Sequence, residues 1–216
     1  MNVKLSIVFG TYNRYDMVVG LIESIRQHVE TPYEIVIADG GSTDGTREWL
    51  VEQPDVVMIG ERKLYGAVDA YNKAFSIAAG EFVAHLNDDC LLVDDSLDMA
   101  CAMLENDKEI GQVAIPFVER ERPILNYIHL GGKDYLYANF GVVRRALGES
   151  VGWWGDYLHT YGGDCELSLN IMRAGYKVVP LRGKYIYHYR AQNGPRRENA
   201  ESMKFFVKWK NGLADV

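Results

Sequence analysis

The sequence predicts an α/β fold, built on a mostly parallel sheet with helices on both faces. Segments with strand and helix character alternate over residues 4–106, and this alternation is typical of parallel strands joined by crossover helices. The strand-like segments are continuous apolar runs that end in polar or acidic residues. Because ligands of open α/β sheets bind at the carboxyl ends of the strands, we expect a binding site at that edge.

Apolar runs and the helical spacing of apolar residues locate the elements of this half. The predicted strands are 4–10, 33–39, 56–60 and 82–86, and the predicted helices are 15–29, a short one containing Trp49 and Leu50, 66–79 and 96–106. Ser42 or Thr43, in a turn rich in small residues, is expected to cap the short helix.

The pattern changes from Gln112 onward. The predicted strands there are 113–117, 125–130, 136–143, 176–180 and 185–187, without regular helices between them. One helix is expected over 164–174, ended by Gly175, a residue type favoured just after a helix. A polar loop over 192–199 and an apolar segment with basic residues over 203–209 are expected to complete the chain.

Composition and charge restrict the class of protein. The chain has 216 residues, of which 48% are apolar and 25% charged, with a net charge of -7, a profile typical of a soluble globular domain. The acidic balance argues against nucleic-acid binding, because surfaces that follow phosphate backbones are usually strongly basic. The 3 cysteines show no CxxC spacing, so neither a zinc site nor a disulfide framework is expected.

These features predict a cytoplasmic protein. Free cysteines fit a reducing compartment, and the sequence shows no signal-peptide pattern and no apolar run of the roughly 18 to 20 residues that span a bilayer. The basic, aromatic segment around Trp209 is the part that could rest on an anionic membrane surface. We therefore expect at most a peripheral membrane contact.

Three oxygen-bearing side chains follow the predicted strand 82–86. They are Asn87, Asp88 and Asp89, and two carboxylates with an amide suit a hard divalent cation such as Mg²⁺ or Mn²⁺, which is commonly shared with substrate phosphates. The alternative is an acidic turn without a ligand.

Four segments of the chain follow the order and residue pattern of one known family. They are SIVFGTYNRYDMVVGLIESI, EIVIADGGSTDGT, GEFVAHLNDD and VGWWGDYLHTYGGDCELSLNIMRAGYKVV. Together they resemble the family 2 glycosyltransferases, which have the GT-A fold. The resemblance implies one GT-A domain over residues 1–216, with a Rossmann-like nucleotide-sugar-binding half at about 1–110, an acceptor-binding and catalytic half at about 111–190, and a C-terminal loop and tail at about 191–216.

The resemblance also implies a reaction. A hexose would pass, with inversion and with the help of Mn²⁺ or Mg²⁺, from a nucleotide-diphosphate sugar to a hydroxyl of a glycan, lipid-linked or protein acceptor. UDP is the default nucleotide.

Residue roles follow from the same resemblance. The residues expected to bind the nucleotide are Thr11, Tyr12, Asn13, Arg14, Asp39 and Asp88, and those expected to bind the metal are Asp89 and His188. The amide of Asn87 stands where the family has its first acid. Metal ligation is therefore left to Asp88 and Asp89, with Asp89 the first choice.

Asp164 matches the family's general base, which removes the proton of the acceptor hydroxyl. The glutamate that precedes this base in the family is replaced by Gly163, and Glu166 is a rival candidate for the base. Capping of the predicted helix is the structural alternative for Asp164. Trp153 and Trp154 are candidates for stacking on a sugar ring, or are ordinary core residues.

Two arginines of the predicted loop, Arg196 and Arg197, are candidates for neutralising the donor diphosphate, with a solvated tail as the alternative. Two other functions stay open at this point. A sugar nucleotidyltransferase is disfavoured because FGTYNRYD stands where such enzymes carry a Gly-rich GxGxR loop. A sugar-nucleotide or glycan-binding module without catalysis is suggested by the exchanges at Asn87 and Gly163.

Overall fold

A seven-stranded sheet forms the centre of the protein. The computed structural model describes residues 3–156, 158, 162–189, 200–210 and 212–213. Its strands are β1 (Leu5–Thr11), β2 (Tyr33–Asp39), β3 (Val56–Gly60), β4 (Phe82–His85), β5 (Cys90–Leu92), β6 (Ile110–Ala114), β7 (Phe117–Val118), β8 (Asn126–Leu130), β9 (Lys133–Tyr137), β10 (Gly141–Arg144), β11 (Lys177–Pro180) and β12 (Ile186–His188). The helices are α1 (Tyr15–His28), α2 (Thr46–Leu50), α3 (Ala67–Ile77), α4 (Ser96–Asn106), α5 (Arg145–Val151), α6 (Gly163–Arg173) and α7 (Ala200–Trp209).

Strand order explains why polar residues gather at one edge. The order of the main sheet is β11-β6-β10-β4-β1-β2-β3. Strands β4, β1, β2 and β3 are mutually parallel, and β10 runs antiparallel to both of its neighbours. Thr11 lies opposite Asp39 at the carboxyl ends of β1 and β2. The predicted mixed, mostly parallel sheet with helices is confirmed.

Burial follows the predicted pattern in the first half. The buried side of α1 carries the apolar residues that are spaced three or four apart, which are Val18, Leu21, Ile22 and Ile25. These side chains, like Ile7 and Val8 of β1 and Val36 of β2, have no exposed surface. The core is therefore built where helix and strand periodicities coincide.

Two predicted strands are wrong because each spans two sheets. The segment 136–143 divides into the end of β9, which pairs with β8 in a hairpin, and β10, which belongs to the main sheet. The segment 113–117 likewise ends β6 and begins β7, which pairs with β12 in a separate three-stranded sheet. Apolar runs do not reveal such a change of partner. Strand β5 was also missed, because it has only 3 residues.

Helix ends agree with the sequence in one place and differ in two. At the end of α6, Gly175 N–H donates to Met172 O and Tyr176 N–H to Ile171 O, the Schellman pattern that the glycine predicts. The predicted Ser42 or Thr43 cap of α2 is wrong, since the N-cap is Gly45 in the left-handed region. Asp164 is not an N-cap either, because that position of α6 belongs to Gly162.

The C-terminal segment contains a helix that the sequence pattern did not identify. Phe205 and Trp209 of α7 are buried, and their spacing of four residues is the signal that indicates a helix. The predicted loop 192–199 lies outside the described residues. No helix in the described part of the chain is both long and apolar enough to span a bilayer.

Candidate functional site

Polar side chains from the ends of β1 and β4 meet at the carboxyl edge of the sheet. Thr11 Oγ1 donates to Asp88 Oδ2 at 2.9 Å. The Arg14 guanidinium lies 2.6 Å from Asp88 Oδ1 and 3.4 Å from Asp89 Oδ2. Burial raises the pKa of Asp88 to about 6, although the nearby charge of Arg14 opposes this rise. The parallel register of β1 and β4 therefore assembles the first group of predicted site residues.

His188 joins this group from β12. Its Nε2 lies 3.3 Å from Asp89 Oδ1 and its Nδ1 lies 3.0 Å from Glu119 Oε1. Burial lowers the pKa of His188, but the hydrogen bonds and charges of Asp89 and Glu119 outweigh that effect and raise it overall. The contact exists because β12 pairs antiparallel with β5, which places His188 opposite Cys90, the residue after Asp89.

The donor set of this group fits a divalent cation. A carboxylate at Asp89 and an imidazole at His188 are both ligands that Mn²⁺ accepts. Among the described residues no group of three or more His, Cys, Asp or Glu side chains is arranged to hold a metal alone.

Asp39, at the end of β2, is completely buried. Its Oδ2 accepts from Arg47 Nε at 2.9 Å, from Gly41 N–H and from Ser42 N–H, whereas Oδ1 accepts only from Ser42 N–H among the described donors. Oδ1 therefore retains acceptor capacity. Arg47 also donates to Glu61 O at 2.7 Å. Sequence reasoning missed Arg47, whose signal is a cation in the first turn of the helix that follows the acid.

The two loops after β1 and β2 bind each other. Asn13 N–H donates to Ser42 Oγ and Thr43 N–H donates to Asn13 Oδ1, both at 2.8 Å. Asn13 has φ of 52°, a conformation that asparagine tolerates better than most residues. Tyr12 beside it is 41% exposed. These contacts hold the predicted nucleotide-binding loop in one shape.

Asp164 lies in the first turn of α6 and is partly buried. Its Oδ1 accepts from Cys165 N–H at 2.9 Å. Burial raises the pKa of Asp164 to about 6, more than its backbone hydrogen bonds lower it. Among the described residues, no cation forms an ion pair with Asp164. A carboxylate whose pKa is raised to about 6 takes up a proton closer to neutral pH than an ordinary aspartate does.

Tyr71 of α3 contacts the residues that precede the two acids at the end of β4, and sequence reasoning missed it. Its hydroxyl donates to Leu86 O and lies 3.0 Å from Asn87 Oδ1. Burial chiefly raises the pKa of Tyr71, and the charges of Asp88, Asp89 and Asp164 raise it further.

Glu166 contacts the C-terminal helix α7, whereas the sequence offered it as an alternative general base. Its carboxylate is completely buried and accepts from Lys208 Nζ and Trp209 Nε1 of α7. The rival assignment of Glu166 as general base therefore has no support from the geometry, because these donors hold its oxygens against the C-terminal helix.

Trp153 and Trp154 pack against α3. The Trp153 ring stacks on Phe75 with centroids 4.4 Å apart, and the Trp154 ring stacks on Tyr71 at 4.1 Å. Trp154 is 7% exposed, and its main chain exchanges two hydrogen bonds with the Asn72 amide. These contacts favour the core alternative for Trp154, while sugar stacking by Trp153 stays a prediction.

The exchange at Gly163 has a steric explanation. A Cβ at this position would overlap the Trp154 ring, so the indole occupies the space that a side chain at Gly163 would need. Arg196 and Arg197, the predicted diphosphate-binding residues, lie outside the described part of the chain.

The chain is similar to known glycosyltransferases in sequence. The family model described as Glycosyl transferase family 2 matches residues 6–153, more than half of the chain. A UDP-Glc:alpha-D-GlcNAc-diphosphoundecaprenol beta-1,3-glucosyltransferase of Escherichia coli, WfgD, is 28% identical over 102 residues, which are 46% of this chain and 40% of that protein. A second such enzyme of Escherichia coli, WfaP, is 26% identical over 119 residues, 54% of this chain and 47% of that protein. The chain thus spans less than half the length of these two relatives.

Solved structures show the same fold. The mannosyltransferase PcManGT from Pyrobaculum calidifontis, in complex with GDP-Man and Mn²⁺, has a TM-score of 0.68 and 20% identity, with 90% of this chain and 59% of that chain covered. GalNAc-T7 with UDP, GalNAc and Mn²⁺ has a TM-score of 0.78 and 16% identity, with coverage of 99% and 48%. The fold is therefore that of the GT-A glycosyltransferases, and from the matched family model the chain belongs to glycosyl transferase family 2.

Proposed function

We propose that the chain is an inverting glycosyltransferase that moves a hexose from a nucleotide-diphosphate sugar to an acceptor hydroxyl. The observation that carries the proposal is a pair of buried carboxylates, Asp88 and Asp89, which follow β4 and contact residues that end or follow β1, together with a third carboxylate, Asp164, in the first turn of α6. One carboxylate pair lies where parallel strands bind ligands, and the third is partly buried with its pKa raised to about 6. An inverting transfer needs these two groups, one for the leaving diphosphate and one for the incoming hydroxyl.

The donor end would be held by the ends of β1, β2 and β4. Asp39 Oδ1 has capacity to accept an N–H of the nucleobase, and Arg14 supplies a positive charge beside Asp88. Asp89 and His188 would hold a divalent cation, which when bound neutralises charge that develops on the departing diphosphate. The relatives named above use UDP-glucose, and UDP and Mn²⁺ occur in the GalNAc-T7 structure, so UDP and Mn²⁺ are the first choices.

Asp164 would act at the acceptor end by accepting the proton of the hydroxyl as that oxygen attacks the anomeric carbon. Only the ionised carboxylate can do this. Because burial raises its pKa to about 6, kcat/KM should fall as the pH decreases through about 6. A rate that stays constant from pH 8 to pH 5 would contradict this role.

Location and acceptor belong to the same proposal. The three cysteines are buried and free, which fits a reducing compartment, and we place the enzyme in the cytoplasm.

The Escherichia coli relatives are named for a GlcNAc-diphosphoundecaprenol acceptor. An α-GlcNAc-terminated diphospholipid is therefore the first acceptor to test, ahead of free glycans and proteins.

A donor screen tests the proposal. UDP-, GDP- and dTDP-sugars should raise the melting temperature only with Mn²⁺, and chelation should remove the effect, if the ion bridges protein and diphosphate. Donor consumption is then measured with the diphospholipid, glycan and protein acceptors.

Two variants separate the proposed roles. Asp89→Ala should lose metal-dependent donor binding, while Asp164→Ala should bind donor normally and lose transfer. Full activity in both variants would refute the assignment, and UDP binding without turnover of any donor would favour a binding module.

A further inference from the structure

A chain of buried polar side chains crosses the sheet beneath the proposed site. It consists of His85 on β4, Gln112 on β6 and Ser168 on α6, which are 1%, 0% and 0% exposed. Gln112 Nε2 lies 3.2 Å from His85 Nε2, and Ser168 Oγ donates to Gln112 Oε1 at 2.7 Å. Polar groups this deeply buried destabilise a fold unless they are hydrogen-bonded, so the arrangement requires a reason.

The chemistry of the three side chains determines which group donates and which accepts in each hydrogen bond of this network. The Gln112 carbonyl oxygen accepts from Ser168, so its amide nitrogen faces His85 and donates to His85 Nε2. His85 therefore carries its proton on Nδ1. Burial lowers the pKa of His85 to about 4, which keeps the ring neutral and this pattern intact over the physiological range.

A glycine lies on the strand between His85 and Gln112. These two strands are separated by β10, and Gly141 of β10 lies directly opposite His85 on one side and Ala114 on the other. A Cβ at Gly141 would lie 2.6 Å from Val113 O and 2.8 Å from the Ala138 Cβ, and 3.5 Å from His85 Nε2. A side chain at Gly141 would therefore clash with the β6 backbone and with Ala138, whereas the His85 ring lies at an ordinary contact distance.

The two ends of this hydrogen-bonded network lie on the two elements that carry the proposed site residues. His85 is the last residue of β4, two positions before Asn87, and β4 leads into the acids at 88 and 89. At the other end Ser168 Oγ lies 3.1 Å from Asp164 O and accepts from Ala138 N–H at 3.0 Å. The network therefore joins the donor-side strand to the helix turn that carries Asp164.

We propose that His85, Gln112 and Ser168 are positioning residues, which hold the first turn of α6, and with it the Asp164 carboxylate, at a set place relative to the end of β4. The proposal rests on the function proposed above. Misplacement of a catalytic group by about 1 Å can cost on the order of a hundredfold in rate, so an enzyme with its base and its leaving-group site on different elements benefits from a rigid connection between them.

The test compares two buried serines. Ser168→Ala removes the hydroxyl at the α6 end of the network. Ser6→Ala is the matched control, because Ser6 is also completely buried, donates to Glu34 at 2.6 Å and accepts from Gly80 N–H at 2.9 Å, but lies near the amino end of β1, away from the site. Both variants should lose comparable thermal stability. Gln112→Leu serves as a second variant if Ser168→Ala does not fold.

The readouts are kcat for transfer, KM for the donor and the ratio of transfer to donor hydrolysis, with the UDP-sugar that the wild type consumes. Ser168→Ala should lower kcat for transfer on the order of tenfold to a hundredfold, with donor KM unchanged and the transfer ratio decreased. Ser6→Ala should keep the kcat for transfer and the transfer ratio of the wild type. Equal kcat and equal ratios in the two variants would overturn the inference. Normal transfer by Asp164→Asn would instead overturn the proposed function, so the two failures are distinguishable.

Discussion

At the scale of single residues, stability and the proposed chemistry conflict at Asp164. The carboxylate is partly buried, and no described cation forms an ion pair with it. Its pKa of about 6 in the folded protein lies above the ordinary value of 3.8, so ionisation costs the folded state free energy. This cost is present above pH 6 and disappears below pH 3.8.

Asp164→Asn should therefore make the protein more stable while removing transfer. We expect the free energy of unfolding to increase by on the order of 1–2 kcal/mol at pH 7.5. This is less than the pKa difference alone would give, because the side chain is not fully buried. The gain should vanish as the pH falls below 3.8. Urea unfolding of wild type and variant at several pH values measures it. A variant that is less stable than wild type at pH 7.5 would show that the carboxylate makes a favourable contact instead.

At the scale of elements, the start of α6 is defined by packing against an aromatic ring. Gly163 begins the helix with the Trp154 indole against its backbone. Gly20, in the interior of α1, has only the Leu91 side chain near its Cβ position, at 4.0 Å. The two helical glycines thus differ in the space available to a methyl group.

Alanine should have opposite effects at these two glycines. Gly163→Ala should destabilise the protein by about 1–3 kcal/mol, because the added methyl overlaps a packed ring. Gly20→Ala should stabilise it by about 0.5–1 kcal/mol, since alanine loses less backbone entropy in a helix. Thermal unfolding of both variants measures the two signs. Equal changes at both positions would show that Trp154 moves away from α6 easily.

At the scale of the whole molecule, a buried acid connects the C-terminal helix to the rest of the fold. Glu166 of α6 accepts from Lys208 and Trp209 of α7, more than 40 residues along the chain. The Arg173 guanidinium covers the Trp209 ring at 4.5 Å. By contrast, Lys177 and Glu109 form an ion pair whose side chains are 58% and 73% exposed.

Glu166→Gln should weaken the attachment of α7. The change removes a charged acceptor from two donors, and hydrogen bonds to charged groups contribute about 1.5–3 kcal/mol. Amide hydrogen exchange in 204–209 should accelerate and the melting temperature should fall. Lys177→Met, which removes an exposed pair, should change neither. Unchanged exchange in α7 of Glu166→Gln would mean that the apolar contacts of Phe205 and Trp209 suffice.

Much of the fold, and the gathering of polar side chains at one edge of the sheet, could be predicted from the sequence. Continuous apolar runs and helical periodicity are local signals, so the parallel half and helix α1 were located correctly. The carboxyl ends of parallel strands then necessarily bring Thr11, Asp39 and Asp88 to one edge. The family motifs indicated Asp164 and Asp89 because their local patterns are specific.

Only the tertiary structure decided what depends on contacts between distant segments. Local periodicity does not encode which distant residues contact each other. This applies to the assignment of β9 and β10 to different sheets, the contacts of Glu166 with α7, the hydrogen bond from Arg47 to Asp39 and the network from His85 to Ser168. The exchange at Gly163 is understood only from the ring of Trp154 that fills its place. Local patterns determine which segments become strands and helices, whereas packing determines which polar groups meet, because burial forces each of them to find a partner.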